Sequence, residues 1–270
     1  MNRLALLTFM LAWSACASRT PPRPAGVPAS DPTALVAFAN ATAACRGFRS
    51  LTGELSLSGR ASNERIRGRV IAGLEAGGLV RLEGLAPFGP PVFILAGRAE
   101  QATLLLPREH RVLRDTRVSA VLERLTGLAL GAEDLRLMVS GCLADNAVPT
   151  DGKQWPGGWQ AVSLAPDRVA YLRVRQGVPV VVAADYGPWH LDFSEHAGGY
   201  PRVVRVRRLR QGFGAQGRAG DLITDVTARI GGLEVNVTID PLAFTLDVPA
   251  DADPMTLDEL RSVAPLVPKT

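Results

Sequence analysis

One short segment carries residue types that could support hydrolysis or metal binding. In Trp189–His196, the side chains of His190, Asp192 and Ser194 alternate with apolar residues, so a β-strand would place all three on one face. An imidazole with a carboxylate and a hydroxyl is the pattern of a hydrolytic dyad or of part of a metal site. The alternative is a polar strand face that runs into the turn at Gly198-Gly199.

Longer motifs that would strengthen the hydrolytic interpretation are absent from the sequence. No HExxH, GxSxG or Cys-His ligand pattern occurs, and the only histidine outside this segment is His110. The glycine-rich run Gly212–Gly217 follows an arginine-rich strand and does not open a helix, so it predicts a hairpin tip and not a phosphate-binding loop. We therefore favour the polar strand, and we predict no catalytic residue, no metal site and no cofactor.

The composition indicates a β-rich globular protein without affinity for nucleic acid. The chain has 270 residues, of which 47% are hydrophobic and 27 are glycine, with a net charge of +4. Strong β-formers and many glycines are typical of short strands joined by tight turns. The basic residues alternate with apolar ones, as in Arg202–Arg210, and do not cluster with aromatics, which argues against nucleic-acid binding.

The N-terminus predicts export and a lipid anchor. Arg3 precedes the apolar stretch Leu4–Trp13, which is too short for a permanent transmembrane helix and is typical of a signal peptide. The run Ser14-Ala15-Cys16 resembles the lipobox of bacterial lipoproteins, in which the cysteine is lipidated and becomes the mature N-terminus, although Trp13 stands where leucine is usual. The alternative is cleavage within Ala15-Cys16-Ala17, which would release a periplasmic protein.

Three cysteines are present in the chain. If Cys16 carries lipid, an even pair remains, Cys45 and Cys142. Because an exported protein reaches an oxidising compartment, we predict a disulfide between them. Two buried thiols are the alternative.

The periodicity of apolar residues predicts three helices and about a dozen strands. Helical spacing covers Asp31–Cys45, Val118–Leu125 and Ala132–Val139, with Asp31 as a capping residue and Pro32 in the first turn. Period-two alternation predicts strands at 51–58, 65–70, Gly78–Gly84, Pro91–Ala96, Ala102–Leu106, Arg111–Arg114, Trp159–Leu164, Ala170–Arg175, Pro179–Ala184, Trp189–Phe193, Arg202–Leu209, Asp221–Ile230 and Leu233–Ile239, with one more in the tail at Ala243–Val248.

These elements favour a mainly β fold with a few helices. Consecutive short strands joined by tight turns predict an antiparallel meander, which we expect to form one large curved sheet of about 11–12 strands with the helices on its concave side. The segment Asp145–Gly158 is predicted to be a polar loop, and the Pro-, Ala- and Ser-rich Ala17–Pro32 a tether. The domain limits that follow are 1–15 for the signal peptide, 16–31 for the lipidated cysteine and tether, 32–250 for the folded domain and 251–270 for a C-terminal tail.

The turn Leu85–Pro91 is unusual because it carries an aromatic side chain at its centre. Pro87, Phe88 and Gly89 occupy the apex, where polar residues are normal. In the general case such a ring folds back onto the core. The rigid neighbours Gly89-Pro90-Pro91 argue instead for a ring that is exposed at the loop tip.

Two segments resemble the LolA/LolB-like family of lipoprotein-sorting proteins, and in particular the outer-membrane receptor LolB. The first is Leu85–Gly89 with the apolar strand Val92–Leu95, which is similar to the family's Asn-Pro-Leu-Gly turn and the strand after it. The second is Val121–Leu130 followed by Asp134-Leu135-Arg136 and Ser140-Gly141, which is similar to the family's helix, Leu-Thr-Gly break and second helix. The resemblance spans 32–248.

The resemblance implies an open half-barrel with helices across its mouth, whose apolar cavity holds the acyl chains of a lipoprotein received from a LolA-like periplasmic carrier. It also implies that Phe88, in place of the family's leucine, helps to insert cargo into the outer membrane. We therefore expect a monomeric, non-enzymatic protein that is lipid-anchored in the outer membrane and faces the periplasm. The alternatives are a lipid- or glycolipid-binding lipoprotein of the same fold and, more remotely, a periplasmic hydrolase that uses His190 or His196.

Overall fold

A computed structural model describes residues 24–61, 64–98, 101–144, 147–165, 167–209, 222–263 and 266. Within these residues four helices are formed, which are α1 (Thr33–Ala41), α2 (Val118–Thr126), α3 (Ala132–Ser140) and α4 (Leu257–Val263). The strands are β1 (Ala29–Ser30), β2 (Ser50–Ala61), β3 (Glu64–Glu75), β4 (Leu79–Leu85), β5 (Phe93–Arg98), β6 (Gln101–Leu106), β7 (Arg111–Thr116), β8 (Asp151–Trp155), β9 (Trp159–Ala165), β10 (Arg168–Arg175), β11 (Val178–Tyr186), β12 (Trp189–Ser194), β13 (Val203–Leu209), β14 (Leu222–Val235) and β15 (Asp253–Pro254).

The strands form one open sheet. Their order is β1-β8-β9-β10-β11-β12-β13-β14-β2-β3-β4-β5-β6-β7-β15, so the chain-order meanders β2–β7 and β8–β14 join where β14 pairs with β2. The outermost strands β1 and β15 do not pair with each other, and every pair is antiparallel except β7 with β15. The predicted fold class, a mainly β chain with a few helices and an unclosed antiparallel sheet, is confirmed.

The central strands show why one face of the sheet is buried. In β2, Leu51 and Leu55 are buried, whereas Ser56 and Ser58 point to the other face and are partly or fully exposed. The neighbouring β14 repeats this pattern with Val226 and Ile230, which are buried. Because the side-chain period of a strand is two, this alternation turns one face of the sheet towards the core and the other towards solvent.

Helix α3 lies inside the curve of the sheet. It packs against β2, β3 and β4 in one half, while the Asp134 carboxylate near its start accepts a hydrogen bond from Tyr186 of β11 in the other half. At its end, Gly141 lies against Phe193 of β12. Strands β4 and β11 are six positions apart in the sheet order, so one helix can reach both only because the sheet wraps around it. The helices α1 and α2 fill the concavity on either side, against β8, β9 and β11 and against β6.

The predicted break between α2 and α3 is present. Helix α2 ends at Thr126, and Gly127 follows it in the left-handed conformation with a φ of 70°. Helix α3 begins at Ala132, and the main-chain N–H of Gly131 just before it donates a hydrogen bond to the Asp134 carboxylate. The start of α1 also follows the sequence, since the Asp31 carboxylate accepts a hydrogen bond from the N–H of Thr33.

Three predicted segments differ from the structure. Part of the predicted polar loop Asp145–Gly158 forms strand β8, which pairs with β9. The two strands predicted on either side of Gly231-Gly232 are one strand, β14, whose register with β2 shifts between Gly231 and Glu234 because the glycine pair forms a bulge. The predicted last strand Ala243–Val248 is replaced by a 3₁₀ turn at Pro241–Phe244, where Asp240 caps the N–H of Leu242 and the proline suits the first position.

The ends of the described chain also contribute to the sheet and core. Residues 29–30 of the predicted tether pair with β8 as β1, and the predicted C-terminal tail contains β15 and α4. Leu260 of α4 is fully buried where this helix packs on α2. The sheet thus has fifteen strands instead of the 11–12 that the sequence predicts, and two of the additional ones are only two residues long. Among the described helices, none has the length and apolarity needed to cross a membrane.

Candidate functional site

The concave face of the sheet is a continuous apolar surface. Both meanders contribute buried aliphatic and aromatic side chains to it, and the covering helices add their own. The fully or almost fully buried members include Leu51, Leu55, Val70, Leu74, Leu82, Phe93, Leu95, Leu104, Leu172, Leu191, Phe193, Val204, Val226 and Ile230 of the sheet, with Phe38, Val121, Leu122, Leu125, Leu137 and Met138 of the helices. The face therefore offers an apolar lining wherever a covering helix leaves space.

Helix α3 is fixed to this face by polar contacts at two points. The Tyr186 hydroxyl donates to the Asp134 carboxylate at 2.6 Å, and burial together with this carboxylate raises the pKa of Tyr186, so that the hydroxyl stays protonated and remains a donor. The Arg136 side chain is completely buried, donates to the carbonyl oxygen of Phe48 at 3.3 Å and lies 4.8 Å above the centre of the Phe48 ring. Glu133 supplies the carboxylate that neutralises this guanidinium.

A disulfide links the covering helices to each other. Cys45 lies in the 3₁₀ turn Ala43–Cys45 after α1, and Cys142 follows α3, with their Cα atoms 5.4 Å apart. The structure joins the two sulfurs, as the sequence predicts for this pair. The bond spans a sequence separation of 97 residues and ties the end of α1 to the end of α3.

A cavity of about 400 Å³ opens where these two helix ends meet the sheet. Its wall contains residues of the α1–disulfide turn, the end of α3, the start of β11 and the segment between β12 and β13. Small side chains leave the space: Ala41, Ala43 and Ala44 on one side, Gly198 and Gly199 on the other. A Cβ at Gly199 would lie 2.5 Å from the Cβ of Ala44, so only glycine allows the two walls to approach this closely. The volume lies within the usual range of small-ligand sites, roughly 300–1,000 Å³.

One imidazole lines the cavity. The Nε2 atom of His196 lies 3.0 Å from the carbonyl oxygen of Val181, which fits an N–H that donates to it. Burial lowers the pKa of His196, and the nearby charge of Arg175 lowers it further. The ring is therefore neutral at physiological pH, and the cavity contains no charged side chain in its lining.

The predicted loop residues lie at an exposed tip. Phe88 is 89% exposed, and Pro87 and Gly89 beside it are exposed as well. The Arg108 guanidinium reaches over from the turn between β6 and β7, donating to the carbonyl oxygens of Phe88 and Pro90, the latter at 3.0 and 3.1 Å. The sequence points to the tip through its Pro and Gly residues, but it gives no indication that Arg108 holds it.

Phe88 and the cavity belong to opposite rims of the sheet. We call the rim at which β4 ends and β5 begins, where Phe88 lies, the upper rim. Neighbouring strands from β4 to β11 alternate in direction, so β10 ends and β11 begins at the opposite rim, which we call the lower rim. The cavity lies at this rim, beside Val178 and Val181. The loop tip and the cavity are thus separate features, each at its own end of the strands.

The hydrolytic cluster, which the sequence offers as the alternative to a polar strand face, does not assemble. His190, Asp192 and Ser194 do share the outer face of β12. However, His190 Nδ1 lies 2.5 Å from an oxygen of Asp185 and not of Asp192, whose carboxylate accepts from Arg207 at 2.7 Å. Among the described residues, no group of three potential metal ligands is found. Gly212–Gly217 and Cys16 lie outside the described residues.

Other residues of the cavity were not predicted. They include the alanines around Ala41–Ala44, which face Gly198-Gly199 across the cavity. A run of small residues after a helix was the available signal, but nothing in the sequence shows that the two segments, more than 150 positions apart, face each other.

Comparisons with known proteins place the chain near several solved structures. No protein-family model and no curated protein matches the sequence. A LolA superfamily protein from Nitrosomonas europaea is similar over 81% of this chain and 98% of its own, at 9% identity and a TM-score of 0.46. A DUF1329 family protein from Desulfovibrio piger is similar over 78% and 96%, at 13% identity and a TM-score of 0.45. The lipoprotein LppX of Mycobacterium tuberculosis is similar over 78% and 100%, at 10% identity and a TM-score of 0.33. At these identities and TM-scores the likenesses carry no argument about family or role, and the resemblance to the LolA/LolB-like family stays a prediction.

Proposed function

We propose that this chain is an outer-membrane-anchored lipoprotein that binds the acyl chains of lipoproteins and helps to localise them to the outer membrane. The observation that carries the proposal is the apolar concave face, which helices cover without closing the barrel, together with the uncharged cavity at the edge of that cover. The proposed activity is binding and transfer and involves no catalytic step.

The physical basis is the cost of exposing acyl chains to water. Each CH₂ group that leaves water contributes about 0.8 kcal/mol, so a chain of many such groups needs an apolar host during transfer. A host that also releases its ligand must bind it without a strong polar anchor. The cavity fits this requirement, because its lining is mostly small apolar side chains and its imidazole is neutral.

The exposed Phe88 supports a contact with the membrane. An aromatic ring that is 89% exposed contributes little to folding, whereas in a bilayer interface it would lose contact with water. In this proposal the tip acts at the membrane, the concave face holds acyl chains, and a LolA-like periplasmic carrier supplies the cargo to a monomeric receptor.

The cavity can be tested by filling it. The full chain is purified from membranes, and its co-purified lipids and acylated proteins are extracted and quantified by mass spectrometry. We expect Ala43→Phe, in the cavity wall, to reduce the amount bound per protein. The matched control is Ala39→Phe, because Ala39 is exposed on α1 and outside the cavity. Equal amounts in both variants and in the parent, or no acyl chains in the parent, would contradict the proposal.

The proposed location rests on the N-terminal sequence. We propose that Cys16 bears the lipid and that Ala17, in place of the aspartate that retains lipoproteins in the inner membrane of enterobacteria, directs the protein to the outer membrane facing the periplasm. Cys16→Ala should leave the protein unprocessed or soluble when cell fractions are separated. An alanine variant that stays in the outer-membrane fraction would show that the anchor is elsewhere.

A second candidate function is the binding of a lipid or glycolipid that is not part of a lipoprotein. The observation that favours it is an arginine-lined groove beside the cavity, since a lipoprotein's acyl chains alone would not need one. Mass spectrometry of the co-purified material distinguishes the two candidates, because one predicts acylated polypeptides and the other free lipids.

A further inference from the structure

A polar groove of about 590 Å³ lies on the outer face of the sheet, next to the cavity. Its wall comes from β2, β12, β13 and β14 and from the end of β10. Most of its charged residues are arginines. They are Arg60, Arg175, Arg205 and Arg229, and they stand with the three carboxylates Asp192, Glu195 and Asp225.

The three carboxylates are already neutralised by arginines. Asp225 is held by Arg205 at 2.6 Å and Glu195 by Arg229 at 3.0 Å. Asp192 is held at 2.7 Å by Arg207, which lies outside the groove wall. Because these pairs consume every carboxylate of the wall, the groove keeps an excess of positive charge.

Arg60 and Arg175 are the source of this excess. Both are exposed, and neither forms a side-chain ion pair or hydrogen bond within the described part of the chain. In the sheet, Arg60 stands opposite Arg65 of β3 and opposite Asp225 of β14, whose carboxylate is already bound by Arg205. An anion in the groove would therefore meet an arginine whose cross-strand carboxylate is already paired.

Arg175 stands at the border between the groove and the cavity. It lines the groove, while Val178, its partner across the β10–β11 hairpin, lines the cavity. Its charge also acts on His196 inside the cavity wall. Glu195 lines the groove and His196, the next residue, lines the cavity, so the two spaces lie on opposite faces of the sheet and reach the lower rim at neighbouring residues.

Two exposed valines lie beside the Gln176-Gly177 turn of this hairpin. Val174 and Val178 are 61% and 58% exposed, and they flank Arg175 in the strands on either side of the turn. Exposed aliphatic side chains around an arginine are suited to the boundary between acyl chains and phosphate headgroups. The lower rim therefore carries exposed aliphatic side chains of its own, separate from Phe88 at the upper rim.

We propose that the cavity and the groove form one amphipathic site for an anionic lipid with a phosphate-bearing headgroup. The acyl part lies in the cavity, the phosphate lies at Arg175, and the rest of the headgroup extends along the groove towards Arg60. The planar guanidinium of arginine matches phosphate oxygens with paired hydrogen bonds, which gives the site its preference. The acyl part of this inference rests on the proposed function, whereas the headgroup part rests on the groove alone.

Native mass spectrometry of the full chain, released from detergent micelles, tests the site. The probes are phosphatidylglycerol and diacylglycerol, which lacks the phosphate, with identical acyl chains, and glycerol phosphate as a headgroup without a tail. We expect phosphatidylglycerol to bind more tightly than diacylglycerol by roughly tenfold, the effect of one charge-assisted contact. Arg175→Ala should remove most of this preference and Arg60→Ala a smaller part, and glycerol phosphate should bind far more weakly than either lipid.

The control variant is Arg114→Ala, which removes an exposed arginine on β7, outside the groove, and should change nothing. Equal binding of the two lipids would overturn the headgroup site and leave acyl binding intact. Binding of glycerol phosphate as tight as that of phosphatidylglycerol would show a site for free phosphate and overturn the amphipathic site. If neither lipid binds, the proposed function itself fails.

Discussion

Arg108 holds the main chain of Phe88 from a different hairpin, because its guanidinium donates to the carbonyl oxygens of Phe88 and Pro90. These hydrogen bonds fix the main chain only, and the Phe88 ring stays exposed. Because the main chain of the loop is already fixed, little further conformational entropy is lost when the exposed ring enters a membrane interface. This relationship separates the stability of the loop, which depends on Arg108, from its contact with a membrane, which depends on Phe88.

Phe88→Glu should lower membrane transfer without lowering stability. Because the ring is exposed, its removal leaves no cavity, and we expect the melting temperature to stay near that of the parent. A fully buried Phe gains about 1.5–3 kcal/mol on leaving water, so full insertion of the ring corresponds to a loss in transfer of roughly tenfold to a hundredfold. The measurement is delivery of a bound lipoprotein from the full chain to liposomes, with the melting curve in parallel.

Leu242→Glu is the matched control for this prediction. Leu242 is also a large exposed apolar side chain, at 75%, but it lies in the 3₁₀ turn Pro241–Phe244 and not at the loop tip. Its replacement should leave delivery unchanged. A large drop in the melting temperature of Phe88→Glu, or equal delivery by all three proteins, would refute the role of the ring.

Arg108→Lys should loosen the loop while the charge remains. An ammonium cannot reproduce the planar fork that contacts two carbonyl oxygens at once, so we expect faster amide hydrogen exchange at Phe88 and Gly89. Delivery to liposomes should fall less than in Phe88→Glu, because the ring is still present. Exchange rates at these two amides that match the parent's would show that the prolines alone hold the loop.

The sequence predicts the sheet well where strands alternate and poorly where main-chain pairing alone decides. β2 and β12 are predicted because their apolar residues recur with period two. β8 is not predicted, because Asp151–Trp155 is mostly polar and forms a strand only through its main-chain pairing with β9 and β1. At Gly152 a Cβ would lie 2.3 Å from the carbonyl oxygen of Asp31, so the glycine is explained by the start of α1 and not by a loop.

Helix α4 is a case in which a local signal was present and not used. Thr256 and Glu259 form a reciprocal capping box: the Thr256 N–H donates to the Glu259 carboxylate at 2.7 Å, and the Glu259 N–H donates to the Thr256 hydroxyl at 3.3 Å. These contacts and Arg111 lower the pKa of Glu259 to about 2. A Thr-x-x-Glu pattern before Leu260 is a known helix-start signal, so this helix was predictable in principle.

The features of the candidate site also differ in whether adjacent residues are enough to predict them. The exposed tip at Phe88 follows from adjacent prolines and glycine, which are local. The cavity depends on the close approach of Ala44 and Gly199, and the groove on residues of β2, β10, β12, β13 and β14 that line one space, and both are set by the curvature of the described sheet. Period-two alternation fixes which face a residue takes, but not which distant segment it meets.

Removing the disulfide should destabilise the domain substantially. For a closed loop with a sequence separation of 97 residues, the chain-entropy model gives about 4.7 kcal/mol of stabilisation at room temperature. The double variant Cys45→Ala/Cys142→Ala should therefore unfold at a clearly lower urea concentration, and the parent should shift in the same direction when reductant is added. Thiol counting on denatured protein is the control, since the parent should gain two thiols on reduction and the variant none. An unchanged midpoint after reduction would show that packing alone fixes α1 to α3.

The last prediction concerns acid and follows from His196. Its pKa is lowered in the folded state, mainly by burial and in addition by Arg175, so the unfolded chain binds a proton more readily than the folded one. Stability that is present above the unfolded value of about 6.5 is therefore lost as the pH falls through the folded pKa. Between about pH 7.5 and about pH 5, the free energy of unfolding of the parent should fall more than that of His196→Gln, which keeps an N–H for the Val181 carbonyl but cannot take up a proton. The comparison is made by urea unfolding at both pH values, with His110→Gln as the control because His110 is exposed. If the parent and His196→Gln lose the same free energy on acidification, the cavity imidazole does not resist protonation and the uncharged lining of the cavity would have to be reconsidered.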